Sequence, residues 1–134
     1  MKPLKLKLKG LNSFIEEQTI DFERLTEKGL FGIFGPTGSG KSTILDGITL
    51  CLYGEVARKS TNFINTNGDL LYVSYEFQIT NAVAKKYRVE REFKRDKSGS
   101  NRTRYARIID ITNDDERWYK DDELDNFDSQ CLLY

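Results

Sequence analysis

Leucine alternates with lysine at the start of the chain, Leu4, Leu6 and Leu8 against Lys5, Lys7 and Lys9. A period of two predicts a strand with one buried face and one basic face. A second short strand fits QTIDF, and GLFGIFG (29–35) reads as a more buried strand that delivers the chain into a glycine-rich loop. From Ser42, STILDGITLCLYG puts Ile44, Ile48 and Cys51 on one helical face, with Leu45 and Leu52 beside them. Such a helix is apolar over most of its circumference, so it is expected to be buried, with Gly54 as its stop. Cys51 is then a core residue rather than a reactive thiol.

Residues 55–68 have loop composition and end in the turn signal Asn67-Gly68. Strict alternation follows: Leu71, Val73, Tyr75, Phe77 and Ile79 on one face, Tyr72, Ser74, Glu76, Gln78 and Thr80 on the other. After a short connection at 81–84, KKYRVEREFKR gives the next strand, and DKSGSN turns the chain into RTRYARIIDI. The three strands predict an antiparallel meander. Beyond them, TNDDERWYKDDELDNF shows no finishing element, and no internal repeat is visible.

With 134 residues the chain has room for a single domain with a real core. Lysines and arginines number 21, as do aspartates and glutamates, so no net charge advertises a polyanionic partner. Two cysteines, Cys51 and Cys131, make no disulfide framework, and the absence of histidine argues against a structural zinc site. The leucine–lysine alternation excludes a signal-peptide core at the start, and no apolar run is long enough to span a membrane. A soluble, cytoplasmic protein with no membrane partner is expected.

The candidate chemistry sits between the predicted strand and helix. Gly35, Gly40, Lys41 and Ser42 fit G-x-x-x-x-G-K-[ST], with Pro36, Thr37, Gly38 and Ser39 inside the loop and Thr43 after it. Glycines let successive N–H groups turn toward one anion, and the helix start adds unpaired N–H groups and a positive dipole end. Lys41 is placed to reach the β- and γ-phosphates, and the Ser42 hydroxyl is a natural Mg²⁺ ligand. The bland alternative, a glycine turn that merely caps a helix, does not account for strand and helix both standing on the required sides. The loop is predicted to bind a nucleoside triphosphate.

What surrounds the loop narrows the class. Two predicted strands precede it, which counts against a small-molecule kinase, and no guanine-reading N-K-x-D occurs. The D-x-x-G from Asp96 to Gly99 lies in a polar hairpin turn. ARIID, ending at Asp110, is interrupted by Arg107 and reads as the last meander strand rather than the Mg²⁺-organising strand of an ATPase. No SGGQ-type signature occurs, so the sequence holds a phosphate cradle without the hydrolytic half.

MKPLKLKLKGLNSFIEEQTIDF, GLFGIFGPTGSGKSTILDGITLCLYGE and YRVEREFKR together resemble the SbcC family, the SMC-like ATPases of bacterial double-strand-break-repair exonucleases. The resemblance implies an α/β P-loop fold: the amino-terminal lobe of an ABC-type ATPase head, with residues 1–134 as one domain. Walker B, the signature motif and the water-activating glutamate would belong to a carboxy-terminal half across a long coiled coil, and a Q-loop glutamine would fall just beyond Tyr134. It implies ATP and Mg²⁺ as ligands, further nucleotide contacts from Asn12 and Ser13, and others from the loop at Ile64, Asn65 and Thr66. It also implies an SbcD-like nuclease subunit, a second head in an ATP-dependent dimer, and double-stranded DNA as partners. Alternatives of other kinds are a non-nuclease SMC-like or recombination ATPase head and a small P-loop kinase.

Charge is uneven along the chain. Lys85 to Arg107 carries ten basic residues against Glu90, Glu92 and Asp96, while Asp110 to Asp128 carries nine acids against Arg117 and Lys120. Cross-strand pairing would absorb such charges, whereas a basic two-strand face would follow a phosphate backbone. On the second reading Lys94, Arg95, Lys97, Arg102 and Arg104, near the hairpin tip, contact DNA.

Overall fold

A computed structural model describes residues 1–29, 32–37, 40–55, 63–113 and 117–119. Gly38 and Ser39 of the glycine loop lie outside the described residues, as do Cys131 and the acid-rich stretch past residue 119.

The alternating segments form strands. In chain order the elements are β1 (Lys2–Lys9), β2 (Gln18–Asp21), the one-turn helix α1 (Phe22–Leu25), α2 (Lys41–Tyr53), β3 (Leu70–Thr80), β4 (Ala84–Arg95), β5 (Asn101–Asp110) and β6 (Arg117–Tyr119). The strands make one antiparallel sheet in the order β2-β1-β3-β4-β5-β6. QTIDF stops being strand at Asp21, whose carboxylate accepts from the Arg24 N–H at 3.2 Å and caps α1.

One face of the sheet meets α2. Leu6, Leu8, Leu71, Val73, Phe77, Val89, Phe93 and Ile108 from the strands pack with Leu50, Cys51 and Leu52 from the helix. The strand positions are the inward halves of period-two patterns, so burial follows directly from the pleat. At Gly47 an added Cβ would come within 3.2 Å of Leu8 Cδ2, which shows how closely α2 lies on β1. Cys51 is fully buried and its thiol donates to the Val89 carbonyl at 3.1 Å, a core residue as its position in the helix predicts.

The C-terminal end of α2 is closed from two sides. Gly54 takes the left-handed conformation, φ 77°, and returns its N–H to the Leu50 carbonyl at 2.9 Å. Arg91 of β4 donates through Nε to Cys51 O at 2.6 Å and through its terminal nitrogen to Leu52 O at 3.0 Å. A cation there satisfies carbonyls that the helix leaves open and opposes its negative dipole end.

Three expectations change. The helix is buried on one side only, because one sheet covers one face, and Leu45 stays 65% exposed. Within GLFGIFG the described residues 32–35 form no strand, and Phe34 is 92% exposed. A strand needs a neighbour for its backbone groups, and among the described residues no strand of the sheet pairs with this segment. Past the meander, where no element was expected, Arg117–Tyr119 pairs with Ile108–Asp110 as β6.

The second face of the sheet is a polar ladder. Arg88 lies between Glu76 and Glu90 at 3.5 and 3.0 Å, Arg107 pairs with Glu90, and Arg104 pairs with Glu92 at 2.8 Å. Glu90 is nearly buried there, and a carboxylate so placed is tolerated because two guanidinium groups face it. Much of the basic run in β4 and β5 is therefore neutralised across the strands.

Candidate nucleotide-binding site

The glycine loop ends where α2 begins. Gly40 is the N-cap residue at φ 94° and offers no side chain to the first N–H groups of the helix. An L side chain at that φ is strained, and a Cβ on Gly40 would meet Phe14 Cζ at 2.6 Å. No acidic residue stands in the first turn of α2, so the helix start keeps its donors and its positive dipole end for an outside anion.

Lys41 reaches back over the loop. Its ammonium donates to the Gly35 carbonyl and to Pro36 O at 3.1 Å, which holds the charge on the loop. Ser42 is exposed on the first turn, and Thr43 is buried behind it. Asn12, Ser13, Thr37, Gly40, Lys41, Ser42 and Thr43 line an open cavity of about 580 Å³, a volume suited to a nucleotide-sized ligand. The Ser42 hydroxyl fits a small hard cation that takes one protein oxygen and completes its shell with phosphate and water.

The β1–β2 connection enters the wall in an unusual conformation. Asn12 has φ 50°, the one positive value at a non-glycine position among the described residues, and asparagine is among the residues that tolerate it. Its side-chain amide donates to Thr43 Oγ1 at 3.4 Å. Its backbone N–H donates to Phe63 O at 2.8 Å, and its carbonyl accepts from Asn65 Nδ2 at 2.6 Å. The Asn65 N–H in turn donates to Gly10 O at 2.8 Å, and Leu11 bridges Ile64.

The structure thus brings Asn12 and Ser13 to the P-loop residues. Ile64, Asn65 and Thr66 are not among the residues lining this cavity: Asn65 is buried with its side chain on the Asn12 carbonyl, Ile64 is buried where it bridges Leu11, and Thr66 is exposed. The hairpin cations divide as well. Lys94, Lys97 and Arg102 are exposed near the β4–β5 turn and line a second cavity of about 450 Å³ with Asp69, Arg95 and Asp96. Arg104 pairs with Glu92. Arg95 turns its guanidinium onto the carbonyls of Ile64 at 2.7 Å and Gly68 at 3.1 Å. Neither Arg91 nor Arg95 shows its carbonyl-binding role in the sequence; each stands in a basic run whose alternation says only which face it occupies.

The D-x-x-G is a turn, as expected. Asp96 Oδ1 accepts from the N–H groups of Ser98 at 3.0 Å and Ser100 at 3.1 Å, and the Ser98 hydroxyl holds the Asp96 carboxyl below the usual range. Asp110 ends β5, an antiparallel strand between β4 and β6, and accepts from the Thr112 N–H at 2.9 Å.

A glycine loop opening a helix that lies on an antiparallel sheet is the architecture of the amino-terminal lobe of a P-loop ATPase head. The chain belongs to the AAA domain family, which matches residues 5–130, and the resemblance to SbcC is borne out by its relatives. It is 66% identical to the SbcC subunit of the SbcCD nuclease of Clostridium acetobutylicum over 116 residues, 86% of this chain and 10% of that protein. The SbcC subunit from Bacillus subtilis is 52% identical over 83% of this chain and 10% of its own length. A probable DNA double-strand break repair Rad50 ATPase of Aquifex aeolicus is 38% identical over 70% of this chain and 10% of its own. The solved SMC head domain from Thermotoga maritima superposes with a TM-score of 0.50 at 25% identity, covering 97% of this chain and 42% of that one. The chain spans about a tenth of the length of these curated relatives. Among the described residues no helix is long and apolar enough to cross a membrane.

Proposed function

We propose that this chain is the ATP–Mg²⁺-binding lobe of a cytoplasmic SbcC-like DNA-repair ATPase. The observation that carries the reading is the convergence of Gly40, Lys41 and Ser42 on one cavity at the N-terminus of α2. The loop's amide groups and the α2 N-terminus hold the triphosphate tail, Lys41 exchanges its loop carbonyls for phosphate oxygens, and Ser42 supplies an oxygen to the metal. Pro36, Gly38 and Ser39 belong to the same loop. Asn12 and Ser13 form the wall beside it.

Hydrolysis requires groups from a further segment of a longer protein, so this lobe alone binds ATP with almost no turnover. In that longer protein ATP bridges two heads and couples, through an SbcD-like nuclease subunit, to the processing of double-stranded DNA ends. The test is calorimetry with ATP–Mg²⁺. The unsubstituted chain takes up one equivalent, and Lys41→Ala weakens binding by at least tenfold, since an ammonium on phosphate contributes about 1.5–3 kcal/mol. Equal binding by the variant would remove Lys41 from the site, and brisk turnover by this chain alone would overturn the division of labour.

A further inference from the structure

We propose that Arg95 is a positioning residue for the nucleotide cavity, acting through the loop at 63–68 on Asn12. The assignment rests on the nucleotide-binding reading above.

Three observations join into one path. The first is the anchor. The Arg95 guanidinium donates to Ile64 O at 2.7 Å and Gly68 O at 3.1 Å, and the Arg95 backbone N–H donates to Asp69 O at 2.8 Å. A planar guanidinium offers several donors in fixed directions, so one side chain fixes two carbonyls that are four residues apart.

The second is the clamp. The anchored loop grips the Asn12 peptide from both sides, Phe63 O accepting the Asn12 N–H at 2.8 Å and Asn65 Nδ2 donating to the Asn12 carbonyl at 2.6 Å. Asn65 is itself set by the Gly10 carbonyl, which accepts its N–H at 2.8 Å, and its side-chain oxygen accepts from the Asn67 N–H at 2.8 Å. Asn12 sits at φ 50°, a conformation that asparagine tolerates and that the two bonds to its peptide hold in place.

The third is the output. Asn12 lines the cavity, and its amide meets the Thr43 hydroxyl on the first turn of α2. Arg95 lies outside that cavity wall, so its influence on a nucleotide passes through the loop.

The role differs from simple stabilisation because it has a defined receiver. If Arg95 works by aiming Asn12, its loss should matter only while Asn12 has a side chain to aim. Four proteins form the cycle: the full chain, Arg95→Gln, Asn12→Gly, and both together, each titrated with ATP–Mg²⁺. Glycine keeps the positive φ and both backbone bonds of Asn12 while removing its amide. Arg95→Gln is expected to weaken binding about fivefold in the parent and less than about twofold in the Asn12→Gly background. Equal losses in both backgrounds, or none in the parent, overturn the relay.

A second measurement is independent of nucleotide. In Arg95→Lys, which keeps the charge but not the fork, hydrogen exchange at the Asn12 and Asn65 amides should accelerate while β3 amides keep their protection. Unchanged exchange at those two amides overturns the clamp. If the unsubstituted chain takes up no ATP–Mg²⁺, the nucleotide reading falls, and the exchange experiment still decides whether Arg95 holds Asn12 in place.

Discussion

At single residues, the site works by what is left out. Gly40 stands where the loop becomes helix, at φ 94°, with the Phe14 ring where a Cβ would go. Serine or aspartate would normally cap such a helix, but a side-chain oxygen there would occupy the N–H groups that an anion needs. Gly40→Ala therefore acts twice, through backbone strain and through the Phe14 clash. A loss of about 1–2 kcal/mol in stability is expected, together with weaker ATP–Mg²⁺ binding. Chemical denaturation and calorimetry on the same sample check both; full stability with intact binding would show that the loop reshapes freely around a methyl group. Lys41, Ser42 and Gly40 were legible in the sequence because the motif fixes their spacing. Arg91 and Arg95 were not, since a hydrogen bond to a distant carbonyl leaves no periodic trace. The same limit applies to Asn65: family resemblance brings it near the nucleotide, but its bond to the Asn12 carbonyl shows only in the folded chain.

Among elements, legibility followed partnership. β1, β3 and β4 read clearly because each turns apolar residues of one face toward α2, and a period of two survives wherever one face is covered. Residues 32–35 are equally apolar, yet composition cannot say whether a neighbouring strand exists to pair with them. β6 fails in the opposite way: three residues are too few to show a period, and pairing with β5 alone makes them a strand. β3 also carries a pH signature. Burial pushes the Tyr75 phenol up to about 12, with the nearby Cys51 thiol adding to it, and burial next to Glu90 does the same for Tyr72. Their pKa values are raised on folding, so the stability they contribute is complete below the ordinary tyrosine pKa of 10.0. It is lost as pH climbs from there toward about 12. Urea midpoints should therefore fall steeply over that interval, and less steeply in Tyr75→Phe, which keeps the shares of Tyr72 and of Tyr105, whose phenol burial also raises. Identical slopes would mean that Tyr75 is ionised as readily in the fold as in the open chain.

On the scale of the molecule, the question is why a neutral chain concentrates cations at one hairpin. Most of its basic strand residues have work inside the fold: Arg88, Arg104 and Arg107 face carboxylates, and Arg91 and Arg95 hold carbonyls. Lys94 and Arg102 are different. They stand directly opposite each other on β4 and β5, both exposed, with Lys97 in the turn beyond. Like charges in that register repel by a few tenths of a kcal/mol to about 1 kcal/mol, a cost that Asp96 offsets in part through its attraction to Arg102 and that an external polyanion would offset further. On the proposed reading that polyanion is DNA, and the interacting set narrows from five cations to Lys94, Lys97 and Arg102. Removing one cation from a phosphate lowers the slope of log affinity against log salt by about 0.9 for duplex DNA. The triple variant Lys94→Gln, Lys97→Gln, Arg102→Gln should bind duplex more weakly at low salt, with a slope smaller by about 2–3. Arg104→Gln should leave the slope nearly unchanged, because Glu92 already neutralises that charge. A triple variant that keeps the parent's salt slope would move the DNA-binding surface off this hairpin.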